Sequence, residues 1–314
     1  MRVHFDLSDI SPGFCVRWRN RIDTWLAADP SALDAVDDPA DADAILILGR
    51  THPWRRRAAP GLEAHHPERT LVWDADDFPT GRLPGLYAGL PRELHEPARH
   101  ATFCYPFRWN QEIHPRPPEE AVRLAGFLGA ITSPLRSRII ATLGDRPEFD
   151  LASADSLWHR MDDPASDASK RRYADHLAAC RFALCPRGNG VSSVRLFEAL
   201  ETGRVPVVLS NRFVPPANPA WRECVLQFDE RRLDTLPALL AAADAQWRSL
   251  ALRVSSFWRE NYADERLART LAEQISRLLP ARPPGPGHRV RLLRFASRQG
   301  GRDVARRIFR LLRQ

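Results

Sequence analysis

The chain has 314 residues, of which 44% are apolar and 27% are charged, an ordinary globular composition. The length is sufficient for two domains of about 150 residues each, and the composition excludes collagen, coiled coils and extensive disorder. Residues 282–314 contain ten arginines and one acidic residue, a charge of +9, although the whole chain carries only +7. The other 281 residues therefore carry −2, so the basicity belongs to one segment and does not indicate a nucleic-acid-binding fold.

The first residues contain no apolar core of a signal peptide and turn acidic at Asp6. No apolar stretch reaches the roughly 20 residues that cross a bilayer. We therefore expect a cytoplasmic protein. The five cysteines are an odd number without a CxxC motif, which argues against a disulfide framework or a zinc site.

The N-terminal half alternates short apolar segments with helical or loop segments. Trp18, Ile22 and Trp25 recur at helical spacing and predict a helix over residues 17–28. Strands are predicted at residues 3–7, 42–48, 70–73 and 101–105. This order predicts a parallel sheet in a first domain, residues 1–115, which ends in a proline-rich linker at 106–120.

A second α/β domain is predicted over residues 116–280. It starts with a strand at 124–129, and Ser133 as N-cap with Pro134 at the first helical position predicts the helix that follows. Residues 150–170 read as a polar loop. Further helices are predicted at 173–179, 232–243 and 245–279. The remaining residues, 281–314, are predicted to form a basic helical tail. The fold class is therefore α/β, with two Rossmann-like domains facing a cleft, where ligands bind outside the carboxyl ends of the strands.

The centre of the second domain reads as a strand, a glycine-rich loop, a helix and a second strand. Ser192 or Ser193 is placed to cap the helix, and Gly203 fits the residue just after its end. The strands are predicted at 182–185 and 205–209, the loop at 186–191 and the end of the helix at about 202. This is one βαβ unit.

The loop of this unit combines features that suit a diphosphate. Gly188 and Gly190 permit positive φ angles and a close approach of the backbone to a ligand. The helix start offers free N–H groups and the positive end of the helix dipole. Arg187 and Arg195 flank that helix start with guanidinium groups that pair bidentately with phosphate. One turn further on, Glu198 is a candidate acceptor for ribose hydroxyls, although Arg195 and Glu198 also have the spacing of a surface ion pair.

The whole segment is similar to the signature region of the exostosin-like family of inverting glycosyltransferases. The similarity begins at Tyr173 and continues through residues 182–188, 192–200 and 203–210. Phe127 to Gly129 and Arg136 match the family's preceding strand and helix. The resemblance covers roughly residues 124–245 and is looser in the N-terminal half.

The resemblance implies a two-domain GT-B fold with the acceptor on the N-terminal domain and the donor on the C-terminal domain. It implies an enzyme that moves a sugar from a UDP- or GDP-sugar to a glycan or glycolipid without a metal or another cofactor. The short chain without an apolar membrane span predicts a bacterial enzyme, for which the family suggests a surface polysaccharide or lipopolysaccharide as product. Asn189 stands where many members carry an acid. The donor contacts that the family resemblance implies are Arg136, Arg187, Gly188, Asn189, Gly190, Ser192, Ser193, Arg195 and Glu198.

Inverting transfer needs one general base, which removes the proton of the acceptor hydroxyl. Asp9, His52, Asp76 and Asp77 are the candidates, because all four lie near predicted strand ends of the first domain. Retaining GT-B enzymes often carry a second glutamate eight residues before the position of Glu198. Gly190 stands there, which argues against a retaining mechanism.

Three alternatives remain. Asp74, Asp76 and Asp77 resemble the metal-binding acids of GT-A transferases, which have a different fold. Gly188-x-Gly190 suggests a dinucleotide site, but the third glycine position is Ser193 and no acid follows the next strand. The chain is alternatively a catalytically silent nucleotide-sugar- or glycan-binding module docked at a membrane.

The basic tail has two interpretations. Between Arg289 and Arg313, apolar residues alternate with arginines at roughly helical spacing, as in helices that lie on anionic membranes. Such a contact places the protein peripherally on the inner face of the membrane, and we expect no nucleic acid as partner. The other interpretation is a helix packed on the N-terminal domain with solvated arginines.

Overall fold

A computed structural model of the chain describes residues 1–8, 10, 12–49, 61–107, 109–154 and 166–280. Two separate sheets, both entirely parallel, form the centres of two α/β domains. The six-stranded N-terminal sheet has the order β2-β1-β3-β4-β5-β6, and the five-stranded C-terminal sheet has the order β11-β10-β9-β7-β8.

The N-terminal sheet forms around a strand that is buried on both faces. All five residues of Ala44–Leu48 are buried, as expected for a central parallel strand covered on both sides. The strands are β1 (Arg2–Asp6), β2 (Asp34–Ala35), β3 (Ala44–Leu48), β4 (Thr70–Asp74), β5 (Gly85–Tyr87) and β6 (His100–Thr102), and the helices are α1 (Pro12–Ala28) and α2 (Leu62–His65).

Helix α1 packs on this sheet through tryptophans. Trp25 stacks on Trp73 of β4 with ring centroids 5.6 Å apart, and Trp18 meets the same ring edge-on at 5.7 Å. Trp73 Nε1 donates a hydrogen bond to the Cys104 carbonyl at 3.0 Å, which satisfies its one polar atom inside the core. The spacing of these tryptophans therefore predicted the buried face of α1.

The C-terminal sheet confirms the predicted βαβ unit. The strand β10 has the predicted bounds, and Gly203 ends α5 in the left-handed region at φ 77°. The strands are β7 (Arg123–Gly129), β8 (Phe149–Ser153), β9 (Cys180–Pro186), β10 (Val205–Leu209) and β11 (Leu226–Phe228). The helices are α3 (Pro134–Leu143), α4 (Asp167–Ala178), α5 (Val194–Thr202), α6 (Trp221–Cys224), α7 (Leu236–Asp244), α8 (Trp247–Asn261) and α9 (Asp264–Leu278).

Two local predictions are wrong. The predicted loop at 150–170 contains most of the edge strand β8 and the start of α4, because pairing with β7 stabilises a strand that has little apolar character of its own. The single predicted helix over 245–279 is two helices that meet at Tyr262. That side chain is buried against Phe103 of one domain and Phe197 of the other, with ring centroids 5.7 Å apart in both cases.

Helix α9 returns to the N-terminal domain. Arg21 of α1 forms a bidentate pair with Asp264 at 2.8 and 3.2 Å, and Asp29 pairs with Arg269 at 2.8 Å. The bounds 1–115 and 116–280 stay predictions, but these contacts show that residues 264–278 pack on the first domain.

The carboxyl ends of the two sheets face each other, as the contact between the loop after β4 and the loop after β9 shows. The Asn189 amide donates to Asp77 across this contact at 3.3 Å, and Arg212 pairs with Glu93 at 2.9 Å in a second contact between the domains. The predicted GT-B arrangement of two Rossmann-like domains is therefore confirmed. The predicted basic tail, 281–314, lies outside the described residues.

Candidate functional site

The glycine loop lies where the strand β9 ends and the helix α5 begins. Its glycines allow close approach, as predicted, but neither has a positive φ angle, so that part of the prediction is wrong. A Cβ atom on Gly190 would lie 2.6 Å from the Asp77 carbonyl oxygen, and one on Gly188 would lie 3.0 Å from Thr132 Oγ1. The glycines are therefore needed for packing between neighbouring backbones and side chains.

Serine hydroxyls surround the loop but do not cap the helices. Ser193 occupies the N-cap position of α5, and Ser133 that of α3, yet neither side chain bonds to its own helix. Ser133 instead donates to the Arg187 carbonyl at 3.0 Å and so fixes the loop. The Ser192 hydroxyl is buried beside Tyr105 and makes no hydrogen bond of good geometry within the described part of the chain.

Arg136 enters the site from α3 and is buried. Its Nη1 and Nη2 donate to the carbonyls of Ala130 and Pro186 at 2.8 and 3.3 Å. Its Nε is buried with no partner among the described residues. Burial, followed by the charge of Arg195, lowers the pKa of Arg136 to about 10, because both disfavour its charged form.

Arg195 lies on the first turn of α5 and folds back over the sheet. Its guanidinium donates to the Leu128 carbonyl and lies 4.4 Å from the ring centroid of Phe127 and 5.3 Å from that of Tyr173. The surface ion pair with Glu198 does not form: Arg195 is 7% exposed and contacts rings and a carbonyl.

Arg136 and Arg195 therefore place two buried positive charges side by side. Neither forms an ion pair with a carboxylate in the described ranges, and both lie at the carboxyl ends of β7 and β9 next to the start of α5. Buried charges are normally paired, because desolvation is costly. An anion with more than one charge would complement this cluster.

Arg187 is held by a residue that the sequence did not reveal. Glu230, just after β11, accepts from Arg187 Nε at 3.0 Å, and no described residue bonds to the two Nη groups. Asn211 holds Glu230 by accepting from its backbone N–H at 3.1 Å. The predicted donor contact of Arg187 stays a prediction, with its charge now partly balanced by Glu230.

Glu198 forms a pair inside the domain. Its carboxylate accepts a hydrogen bond from the Tyr173 hydroxyl, and burial raises the pKa of Glu198. Both side chains are close to Arg195, so Tyr173 has a polar role as well as a packing role. Glu198 also lines a cavity of about 30 Å³ between the domains, together with Tyr105 and Phe197.

Two of the four base candidates lie in the loop after β4, which contacts the other domain. Asp77 reaches Asn189, as described above, whereas Asp76 accepts from the Phe78 backbone N–H at 3.3 Å within its own loop. Asp9 and His52 lie outside the described residues. Tyr105, beside Ser192, is a site residue that was predicted only as the end of a strand.

The acidic segment does not support the GT-A alternative. The two separate parallel sheets contradict that fold, and Asp74 is buried with its carboxylate accepting from the Asp76 backbone N–H at 2.9 Å. Among the described residues, no three histidine, cysteine, aspartate or glutamate side chains are grouped closely enough to hold a metal ion.

Comparison with known families identifies the central part of the chain. Residues 93–243 match the family model described as the Exostosin GT47 domain. This part of the chain is therefore similar to an exostosin GT47 domain. The matched segment begins between β5 and β6 and ends in α7, so it includes Arg136, the glycine loop, Arg195 and Glu230, while residues 1–92 lie outside the match.

Curated proteins named exostosin are similar to part of the chain. Exostosin-1 of Drosophila melanogaster is 32% identical over 136 residues, which are 40% of this chain and 18% of the relative. Exostosin-1 of Bos taurus is 31% identical over 121 residues, 37% of this chain and 16% of the relative. The chain thus spans less than a fifth of the length of these relatives.

A solved structure is similar over most of the chain. The crystal structure of WaaG, a glycosyltransferase involved in lipopolysaccharide biosynthesis, covers 90% of this chain and 100% of its own, with a TM-score of 0.44 and 12% identity. A score of this size is below that of proteins sharing one fold, so the fold class rests on the two parallel sheets themselves.

Proposed function

We propose that the chain is a glycosyltransferase that moves a sugar from a UDP- or GDP-sugar to a glycan or glycolipid acceptor. We further propose an inverting single displacement that uses a general base and no metal. The observation that carries the proposal is the pair of buried guanidiniums, Arg136 and Arg195, without a carboxylate partner among the described residues. A diphosphate supplies the missing negative charge.

This arrangement favours departure of a nucleoside diphosphate. Negative charge accumulates on the leaving diphosphate in the transition state, where fixed cations and the N–H groups of the α5 start stabilise it. Because Arg136 and Arg195 are already fixed by carbonyls and rings, little reorganisation accompanies the reaction.

Calorimetric binding of UDP, GDP, CMP and ADP to the full chain tests the donor site. We expect one nucleoside diphosphate to bind tightly with or without EDTA. Arg195→Met should weaken that binding at least tenfold, because a charge-assisted hydrogen bond contributes about 1.5–3 kcal/mol. Arg253→Met, which removes an exposed arginine of α8, is the matched control and should change nothing.

The outcomes separate the alternatives. Binding that vanishes with EDTA refutes the metal-free site, and no binding of any nucleotide refutes the donor site altogether. If a nucleotide binds but no sugar nucleotide is cleaved, with either a glycan or water as acceptor, the chain is a silent binding module.

We also propose that the segment between Arg289 and Arg313 binds an anionic membrane, where it meets a lipid-linked acceptor. The support is its sequence, in which arginines alternate with apolar residues. In the described part of the chain, no helix is both long enough and apolar enough to span a membrane. Sedimentation with phosphatidylglycerol vesicles, but not with phosphatidylcholine vesicles, is the expected result. Equal binding of a variant without residues 281–314 contradicts it.

A further inference from the structure

One carboxylate of the N-terminal domain reaches the glycine loop of the other domain. Asp77 Oδ2 accepts from Asn189 Nδ2 at 3.3 Å, and the Asp77 backbone packs so tightly on Gly190 that a Cβ there would lie 2.6 Å from its oxygen. Asp76, its neighbour, bonds within its own loop. Asp77 therefore reaches the loop of the proposed donor site from the domain to which the resemblance assigns the acceptor.

The charge of Asp77 also acts on the groups around the anion site. Burial, followed by the charge of Asp77, raises the pKa of the Tyr105 phenol well above its ordinary range. The same carboxylate acts on Arg136, where it opposes the effect of burial. Asp77 is thus within electrostatic range of a residue assigned to the diphosphate, and it comes from the opposite domain.

We propose that Asp77 is the general base of the transfer reaction, an inference that depends on the proposed function. Its carboxylate takes the proton of the acceptor hydroxyl as that oxygen forms a bond to the anomeric carbon. The bond between this carbon and the diphosphate oxygen breaks, and its electron pair leaves with the nucleoside diphosphate. Arg136 and Arg195 stabilise the resulting negative charge on the diphosphate.

A purely structural role for Asp77 and a role as general base predict different activities for its variants. If Asp77 only joins the domains, Asp77→Asn should be harmless, because its amide oxygen still accepts the hydrogen bond from Asn189. If Asp77 is the base, the amide cannot take the proton. Glu93→Gln is the matched control, since it also turns an interdomain carboxylate into an amide, in the separate ion pair with Arg212.

The test uses the full chain with UDP-glucose and GDP-mannose and measures nucleotide release with water as acceptor. We expect Asp77→Asn to lower release at least 100-fold while nucleotide binding stays within threefold of the wild type, since a general base contributes about 10²–10⁴-fold. Glu93→Gln should stay within threefold. Azide needs no proton removed, so azide should restore nucleotide release, with formation of the glycosyl azide, in Asp77→Ala.

Three results would overturn the assignment: unchanged release in Asp77→Asn, an equal loss in Glu93→Gln, or no azide rescue. Failure of the proposed function has a different signature, which lies in the wild type. A wild type that binds no nucleoside diphosphate has no donor site, and one that binds nucleotide but releases none with water, azide or a glycan is a silent binding module; in both cases the role of Asp77 is refuted together with the proposed function.

Discussion

Replacing Arg136 by methionine tests whether its charge serves a ligand or the fold. Methionine fills the space of the arginine stem but removes the guanidinium. In the protein without ligand, that guanidinium is buried beside Arg195 and forms no ion pair with a described carboxylate. An uncompensated buried charge destabilises a fold, so its removal relieves a cost.

The two effects on stability nearly cancel. The depression of the pKa of Arg136 to about 10 corresponds to roughly 3 kcal/mol, at about 1.4 kcal/mol for each tenfold change in the ionisation constant. The pKa of Arg136 lies far above neutral pH in both the folded and the unfolded state, so this cost is constant between about pH 6 and 8. Against it, the carbonyls of Ala130 and Pro186 lose their donor, at about 1–1.5 kcal/mol each.

We therefore expect Arg136→Met to unfold within about 4 °C of the wild type when no ligand is present, since 1 kcal/mol corresponds to about 2–4 °C. Its nucleoside diphosphate affinity should fall about 10- to 150-fold, equivalent to 1.5–3 kcal/mol. Thermal unfolding and calorimetry measure the two effects, and Arg253→Met controls for the lost charge. A drop of more than about 10 °C with unchanged affinity would refute the reasoning.

Three further predictions concern the loop and its supports. Glu230→Gln should weaken nucleotide binding about fivefold in calorimetry, because the half-buried pair that holds Arg187 contributes about 1 kcal/mol; equal affinity would exclude a positioning role. Gly190→Ala should lower nucleotide release about 100-fold in the water assay, since its Cβ forces the loop away from Asp77, and unchanged release would show that this contact is dispensable. Gly203→Ala should cost about 1–2 kcal/mol in urea unfolding with nucleotide affinity preserved, because φ there is 77°; wild-type stability would contradict this account.

Local sequence was sufficient for the βαβ unit that carries the site. The continuous apolar run of β10 has the length of a buried strand, and Gly203 marks the end of α5 by its freedom to adopt a positive φ. Both signals act within a few residues, so they are readable without the rest of the fold. The strand β8 was missed because its stability depends on pairing with β7, a partner distant in sequence.

The partners of the charged residues were not predictable in the same way. Arg195 was expected to flank the helix start, with a surface ion pair to Glu198 as the alternative. It folds over Phe127 because the ring and the Leu128 carbonyl lie on an adjacent strand. Glu230 follows β11, and only the parallel order of the C-terminal sheet brings it to Arg187. Neither residue carries a local signal of these contacts.

The sequence by itself determined the α/β class, the glycine loop and the group of arginines around it, because hydrophobic periodicity, glycine conformation and charge are properties of short segments. Only the tertiary structure decided which charges are paired and which remain open to a ligand. It also placed Asp77 against Asn189, 112 residues further along the chain, because the carboxyl ends of two separate sheets meet at that point. Burial and long-range contact set these outcomes, and both depend on the packing of the whole fold.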